Sequence, residues 1–306
     1  MRIVIPGGNG QIGHILTRHF QAQRQRHDIT ILTRHQSADD WAAALERSDV
    51  CVNLAGRSVN CRYRAANRRA IFDSRVDTTR LLNRIVAELA HPPAVWLNAS
   101  TATIYRHALD RPMDEATGEL GGGEVGAPDT WNFSIRVAKG WEAAFFETPT
   151  PRTRKVAMRS ALTLSPDSGG IFDVLLGLVR HGLGGTQGPG TQFVSWIHEL
   201  DFARAVDLLI AREDFTGVVN LASPNPLPNG DFLRTLRETW DTRIALPAPS
   251  WLIEIGTWLM RTESELVLKS RRVVPTRLLA AGFQFRFPEW PAAAHDLVDR
   301  WRRHSS

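Results

Sequence analysis

The chain has 306 residues, 43% of them apolar and 23% charged, which excludes a disordered chain and a fibrous repeat. A globular protein of this length buries roughly 75% of its unfolded surface, so it needs no staple, and its two cysteines, Cys51 and Cys61, exclude a disulfide framework and a zinc ribbon. The net charge of +5 is carried almost wholly by arginine, and over this length it favours anionic ligands in a cleft without implying nucleic acid.

Short apolar runs at 2–6, 29–33, 50–54 and 94–98 alternate with segments of helical period. One segment begins near Gln11 and carries Ile12, Leu16 and Phe20 on one face. Another begins near Ser74 and carries Thr79, Leu82, Val86 and Leu89. Ser74 with Asp77 three residues on reads as its capping-box start. Strand–helix alternation with short connections means βαβ units and a parallel sheet covered on both faces.

A Gly-, Pro- and acid-rich stretch at 106–130 reads as a long loop, followed by a helix at 131–147 and a strand at 154–159. Val194 to Ile197 reads as a strand, with a helix starting at an Asp201 cap, and Val218 to Leu221 as a further strand. The tail, 222–306, reads as helical with Pro breaks and carries Trp240, Trp251, Trp258, Trp290 and Trp301. The expected architecture is α/β, a Rossmann-type doubly wound parallel sheet over 1–221 with a small, mostly helical C-terminal substrate-side domain over 222–306. The segment 162–196 is expected to contribute to the substrate side. No apolar run approaches the roughly 20 residues that span a bilayer. The nearest, Trp251 to Met260, is interrupted by Glu254, and Arg2-Ile3-Val4-Ile5 is no signal peptide. A cytoplasmic protein with no membrane partner is expected.

The sequence Gly7-Gly8-Asn9-Gly10-Gln11-Ile12-Gly13 follows the first strand and opens the first helix. Gly7 permits the tight turn, Gly10 lets the backbone approach a pyrophosphate, and Gly13 lets helix and strand pack closely. The helix start at Gln11 and Ile12 offers free N–H groups and a positive dipole end. Where an NAD site places an acid after the second strand, this chain has Thr33-Arg34. A guanidinium suits a 2′-phosphate, so NADP(H) is the expected cofactor. Asn53-Leu54-Ala55-Gly56 ends the third strand with small residues that let a cofactor lie against the strand edge.

The chain resembles the short-chain dehydrogenase/reductase superfamily in its extended, epimerase-like form, and more narrowly its atypical branch with a small C-terminal domain of unknown function. The residues that carry the resemblance span nearly the whole chain. They are Gly7 to Gly13, Leu32-Thr33-Arg34, Asn53 to Gly56, Asp73 to Leu81, Trp141-Glu142, Arg159 with Leu164, Gly182-Leu183-Gly184-Gly185, Ser195 to His198 with Asp201, Val274-Pro275, Leu278-Leu279 and Ala281 to Phe285. Pro6 departs from the Thr usual before the first glycine. The resemblance implies NADP contacts at Thr33, Arg34, Ala55, Gly56 and Arg75, with Ser100 beside them.

It also implies a Ser/Thr–Tyr–Lys set, in which a Tyr phenolate moves the proton, a Lys lowers its pKa, and a hydroxyl orients the substrate oxygen. Ser100 and Thr101 follow the fourth strand, with Thr101 at the hydroxyl position. No Tyr-x-x-x-Lys follows. Counting back from Lys139 puts Ile135 at the Tyr position, whereas aligning on Trp141-Glu142 puts Ser134 and Ala138 at the two positions. Tyr105, or a water held by Ser134, is then the expected proton handler. His198 reads as closing a turn, and Arg62, Arg64, Arg68 and Arg69 as a solvated helical face. The function expected is an NADP(H)-dependent oxidoreductase or epimerase-like enzyme acting on a carbonyl or sugar-nucleotide-like substrate. The rival expectation is an NADP(H)-binding sensor or scaffold without turnover.

Overall fold

The computed structural model describes residues 1–242, 245–247 and 268–305. Trp251, Trp258 and the apolar stretch 251–260 lie outside them. Six strands form one parallel sheet: β1 (Arg2–Pro6), β2 (Asp28–Leu32), β3 (Val50–Asn53), β4 (Val95–Thr101), β5 (Arg154–Ser160) and, later in the chain, β9 (Gly217–Leu221). Their order is β2-β1-β3-β4-β5-β9, so the direction of winding reverses between β1 and β3. In a doubly wound sheet that reversal opens a crevice at the carboxyl ends of the strands, and ligands bind there.

Strands β1 and β3 are nearly continuous apolar runs because helices cover both faces. On one face lie α1 (Gln11–Ala22) and α6 (Glu199–Ala211), which bury Leu16, Phe20, Phe202 and Val206 against Ile3, Val52 and Leu97. On the other lie α2 (Ala38–Leu45), α3 (Ala65–Glu88) and α4 (Asp129–Phe146), which bury Trp41, Leu82, Val86 and Phe145 against Val4, Cys51 and Trp96.

Two helix starts differ from the sequence reading. Helix α3 begins at Ala65, nine residues before Ser74, because no Pro or Gly interrupts the chain there. Ser74 therefore sits inside the helix, where its hydroxyl donates to the Ile71 carbonyl (3.0 Å) and accepts the Arg57 N–H (2.9 Å). Arg68 and Arg69 fall in the first turns and pair with Asp129 and Asp73. Helix α6 is capped by His198, whose ring nitrogen accepts the Leu200 N–H (3.2 Å), and not by Asp201. Asp201 is buried in the first turn and accepts the N–H groups of Arg286 and Phe287, each at 2.7 Å. A carboxylate that could have capped its own helix instead ties down the C-terminal segment.

A second apolar core lies beyond the carboxyl ends of the sheet. The strand read at 194–197 is two short ones, β7 (Phe193–Val194) and β8 (Trp196–His198), divided at Ser195. Ser195 is held sideways, its hydroxyl donating to the Arg271 carbonyl (2.6 Å) and accepting the Val273 N–H (2.8 Å). Strand β8 pairs with β6 (Leu162–Leu164), and β7 with β10 (Leu227–Pro228). Around them pack α5 (Ile171–Arg180), α7 (Asn229–Trp240) and the terminal α9 (Trp290–Ser305), with Phe172, Leu176, Trp196, Phe232 and Trp290 at the centre. Trp290 stacks on Phe232 at 4.0 Å between ring centres.

This core takes residues from before 221 as well as after it. Conversely Leu278, on α8 (Thr276–Ala280), and Phe283 pack into the core of the sheet. Position 221 divides the chain by sequence but not by packing. Among the described residues no helix is long and apolar enough to cross a membrane.

Candidate functional site

The glycine turn does what its spacing requires at two positions. Gly7 has φ +76°, and a Cβ there would stand 2.6 Å from the Ala55 Cα. A Cβ on Gly13 would overlap the Gly8 carbonyl, so the close packing of α1 on β1 needs its absence. Gly10 is different. Its backbone is extended (φ −86°, ψ 172°), and a Cβ would meet no protein atom closer than 3.8 Å. The fold does not ask for glycine there.

Around this turn runs a crevice of about 220 Å³ lined by Gly7, Gly10, Gln11, Ile12 and Gly13, with Leu54, Ala99, Ser100, Met158, Ser160 and Phe202 opposite. The start of α1 has no side-chain cap and no acid in its first turn. The Gln11 Nε2 is buried with no hydrogen-bond partner among the described residues. Uncapped amides and a glycine with no steric reason to be one both fit a diphosphate.

The neighbouring strand ends converge on it. Gly7 donates its N–H to the Leu32 carbonyl (2.9 Å), which sets Thr33 and Arg34 beside the turn. The Thr33 loop is held by Gln36, whose Oε1 accepts the Thr33 N–H (2.7 Å), and by Trp41, whose indole donates to the Thr33 carbonyl (3.3 Å). Arg34 projects into solvent, its Nε 3.5 Å from the His35 ring. Asn53 shapes the next loop by accepting the Ala55 N–H (3.1 Å) and donating to Asn98 (2.7 Å). Arg75 lies close over Gly56, its guanidinium 5.1 Å from the Trp141 ring, and it donates to the carbonyls of Arg57 (3.0 Å) and Ile71 (3.1 Å). Among the described residues no carboxylate pairs with it. Burial pushes its pKa down to about 10, which leaves it cationic at neutral pH.

A second cleft, of about 250 Å³, adjoins the crevice and shares Ser100 and Ser160 with it. Thr101, Ser134, Ala138 and Arg75 line it together with the apolar side chains of Phe133, Val137, Trp141 and Leu162. Among its described lining residues there is no Asp or Glu. Thr101 and Ser134 are thus brought together. Ser134 and Ala138 both face the cleft, as the alignment on Trp141-Glu142 requires, whereas Ile135 is buried and Lys139 is exposed.

Tyr105 is not in this cleft. It is 1% exposed and packs with Ile104, Met113 and Val273. Its hydroxyl lies 3.0 Å from the Asp114 carbonyl, 3.0 Å from the Asn220 Oδ1 and 2.9 Å from the Arg159 Nη1, which donates to it. Burial raises its pKa, against the opposing pull of Arg159. The phenol expected to handle a proton is a structural group.

Two residues carried in the sequence only as marks of resemblance prove central. Arg159, on β5, grips Glu142, on α4, through two hydrogen bonds of 2.8 and 2.7 Å. Their side chains are 8% and 11% exposed. Burial works against the Arg159 charge, but the bonds and charge of Glu142 hold its pKa above the usual range. Glu142 also accepts the Ser100 hydroxyl at 2.5 Å. The signal in the sequence was a charge inside an apolar strand, Val156-Ala157-Met158-Arg159, which needs a buried partner.

Sheet, reversal point and glycine crevice define a Rossmann-type α/β protein of the kind that holds a dinucleotide. The model of the NAD dependent epimerase/dehydratase family matches residues 3–122, and that of a domain of unknown function, DUF1731, matches residues 248–297. Epimerase family protein SDR39U1 of Bos taurus is 32% identical over 308 residues, covering 97% of this chain and all of its own length. Epimerase family protein YfhF of Bacillus subtilis is 26% identical and covers 97% of this chain and 98% of its own. The crystal structure of human SDR39U1 (isoform 2) with NADPH superposes with a TM-score of 0.86 at 30% identity, covering 98% of this chain and 99% of that one. The chain belongs to the NAD dependent epimerase/dehydratase family, in the branch that ends in DUF1731.

Proposed function

We propose that this protein is an NADP(H)-dependent oxidoreductase that reduces or forms a carbonyl on a small substrate held in the 250 Å³ cleft. The observation that carries the reading is the continuity of the glycine crevice with the hydroxyl-lined cleft through Ser100 and Ser160. Gly7, Gly10, Gln11, Ile12 and Gly13 would hold the diphosphate, Arg34 with Thr33 the 2′-phosphate, and Ala55, Gly56 and Arg75 the intervening part of the cofactor. A nicotinamide cofactor bound there supplies or accepts a hydride. The relative crystallised with NADPH supports the choice of cofactor.

The chain's own contribution is orientation of the substrate. Thr101 Oγ1 accepts the Thr103 N–H (3.2 Å), so its own proton is free to be donated to a substrate oxygen. Ser134 stands across the same cleft, which Phe133, Val137 and Trp141 give an apolar wall. At about 250 Å³ the cleft lies below the roughly 300–1,000 Å³ of most ligand pockets, which favours a small carbonyl compound over a sugar nucleotide.

The cofactor assignment is tested by titrating NADPH and NADH against intrinsic fluorescence. Arg34→Ala is expected to weaken NADPH by about 1.5–3 kcal/mol, the range for a charged hydrogen bond, and to leave NADH unchanged. Equal affinity of the wild type for the two dinucleotides would remove the role given to Arg34. Turnover is tested by incubating the NADPH-loaded protein with a panel of small aldehydes, ketones and quinones. NADPH oxidation that Thr101→Ala abolishes is the expected result. The exposed Lys139 and the buried Tyr105 favour a second reading, a protein that holds NADP(H) without turning it over. Tight binding with no oxidation across the panel is its signature.

A further inference from the structure

The two hydroxyls at the head of the cleft are poised in opposite senses. Thr101 accepts from the backbone and has its proton to give. Ser100 has given its only proton to Glu142, at 2.5 Å, so towards the crevice and the cleft it presents lone pairs. Glu142 is not among the described residues that line either cavity; among these it is joined to them through Ser100. Behind it, Arg159 occupies both of its oxygens, and Arg159 in turn is held by the Tyr105 hydroxyl. This is a carboxylate fixed in one place, largely withdrawn from water and, among the described residues, joined to the cavity by one hydroxyl.

We propose that Ser100 and Glu142 form the proton relay of this site, in the role that a Tyr–Lys pair would fill. A proton leaving a substrate hydroxyl moves to the Ser100 Oγ as the proton already on that oxygen moves to the Glu142 carboxylate. Two O–H bonds break and two form, Ser100 ends as it began, and one negative charge passes from Glu142 to the substrate oxygen. In the opposite direction the protonated Glu142 returns the proton by the same path. Ser100 is the group that touches substrate; Glu142 is the positioning and proton-holding residue behind it, and Arg159 fixes its geometry. The relay rests on the oxidoreductase reading only for the hydride that accompanies this proton.

The transfer from Ser100 to Glu142 can be tested without knowing the substrate, using methanesulfonyl fluoride as the probe. The Ser100 Oγ attacks sulfur, the S–F bond breaks, an O–S bond forms, fluoride leaves, and the serine proton goes to Glu142. Mass spectrometry of the digested full-length protein is expected to show the methanesulfonyl group on Ser100, and none at that peptide in Ser100→Ala. In Glu142→Gln, which has an acceptor but no base, the rate is expected to fall by about 100-fold or more, the lower scale for a positioned base. Because Glu142→Gln leaves Arg159 without a counter-charge, Glu142→Asp is tested beside it. The shorter side chain of that variant would keep the charge, draw the carboxylate back from Ser100, and slow labelling with the thermal transition retained. An unlabelled Ser100, or equal rates in wild type and both variants, overturns the relay. Labelling that depends on Glu142 but is not blocked by NADPH would uphold the relay while removing the cofactor from the crevice.

Discussion

Gly10→Asp is expected to remove NADPH binding and leave the fold intact. Gly10 is the N-cap of α1 in extended backbone, and among the described residues the nearest atom beyond its chain neighbours to the position a Cβ would take is the Gly7 carbonyl oxygen at 3.8 Å. Asp is among the favoured N-cap residues, and exchanging Gly for it there changes helix stability by only a few tenths of a kcal/mol, in its favour. The same carboxylate would stand over the helix amides where a diphosphate must lie, so it both fills the approach and repels the ligand. A loss of at least about 100-fold in NADPH affinity, about 2.7 kcal/mol, is expected by calorimetric titration. Gly13→Ala makes the contrast, because its Cβ would overlap the Gly8 carbonyl and should lower the thermal midpoint with or without ligand. NADPH bound by Gly10→Asp within about threefold of wild type, roughly 0.7 kcal/mol, would show that no diphosphate sits on this turn.

Arg159→Met is expected to destabilise the protein by about 3–5 kcal/mol, the cost of leaving one member of a buried ion pair alone. Met keeps most of the length of the side chain, so the loss is that of the guanidinium. Without it the Glu142 carboxylate, 11% exposed, keeps the Ser100 hydroxyl as a partner but has no counter-charge, and the Tyr105 hydroxyl loses a donor. Urea denaturation measures the change. The double variant Arg159→Met with Glu142→Met removes both charges and is expected to regain much of the stability, because paired burial is often no better than apolar packing. A single variant as stable as the wild type would mean that Glu142 needs no counter-charge where it stands, and that the pair does not hold the carboxylate in place. A double variant less stable than the single one would show that Glu142 supports packing beyond its pair.

Gly10 could be singled out from its place between a strand and a helix, because a tight turn, a free helix end and the spacing Gly7, Gly10, Gly13 are all properties of a dozen consecutive residues. The strand–helix alternation was legible for the same reason: apolar periodicity is local, and β1, β2, β3 and β4 lie where the apolar runs are. Local patterns mislead where a side chain has a better partner elsewhere. Ser74 and Asp201 both look like helix caps in sequence. In the structure one is mid-helix and the other holds Arg286 and Phe287, 85 and 86 residues away.

The parallel sheet, the glycine crevice, the guanidinium after β2 and the lack of a Tyr-x-x-x-Lys pair could all be read before any fold was known, since each is written in a short stretch with strong local preferences. It took the folded chain to show that Tyr105 is buried away from the cleft, that Ser134 and Ala138 face it, and that Ser100, Glu142 and Arg159 meet. Those three come from β4, α4 and β5, and Ser100 and Glu142 stand 42 residues apart. Their meeting depends on how α4 lies across the sheet. A charge in an apolar strand announces that it needs a partner, but the chain must fold before it is settled which carboxylate answers.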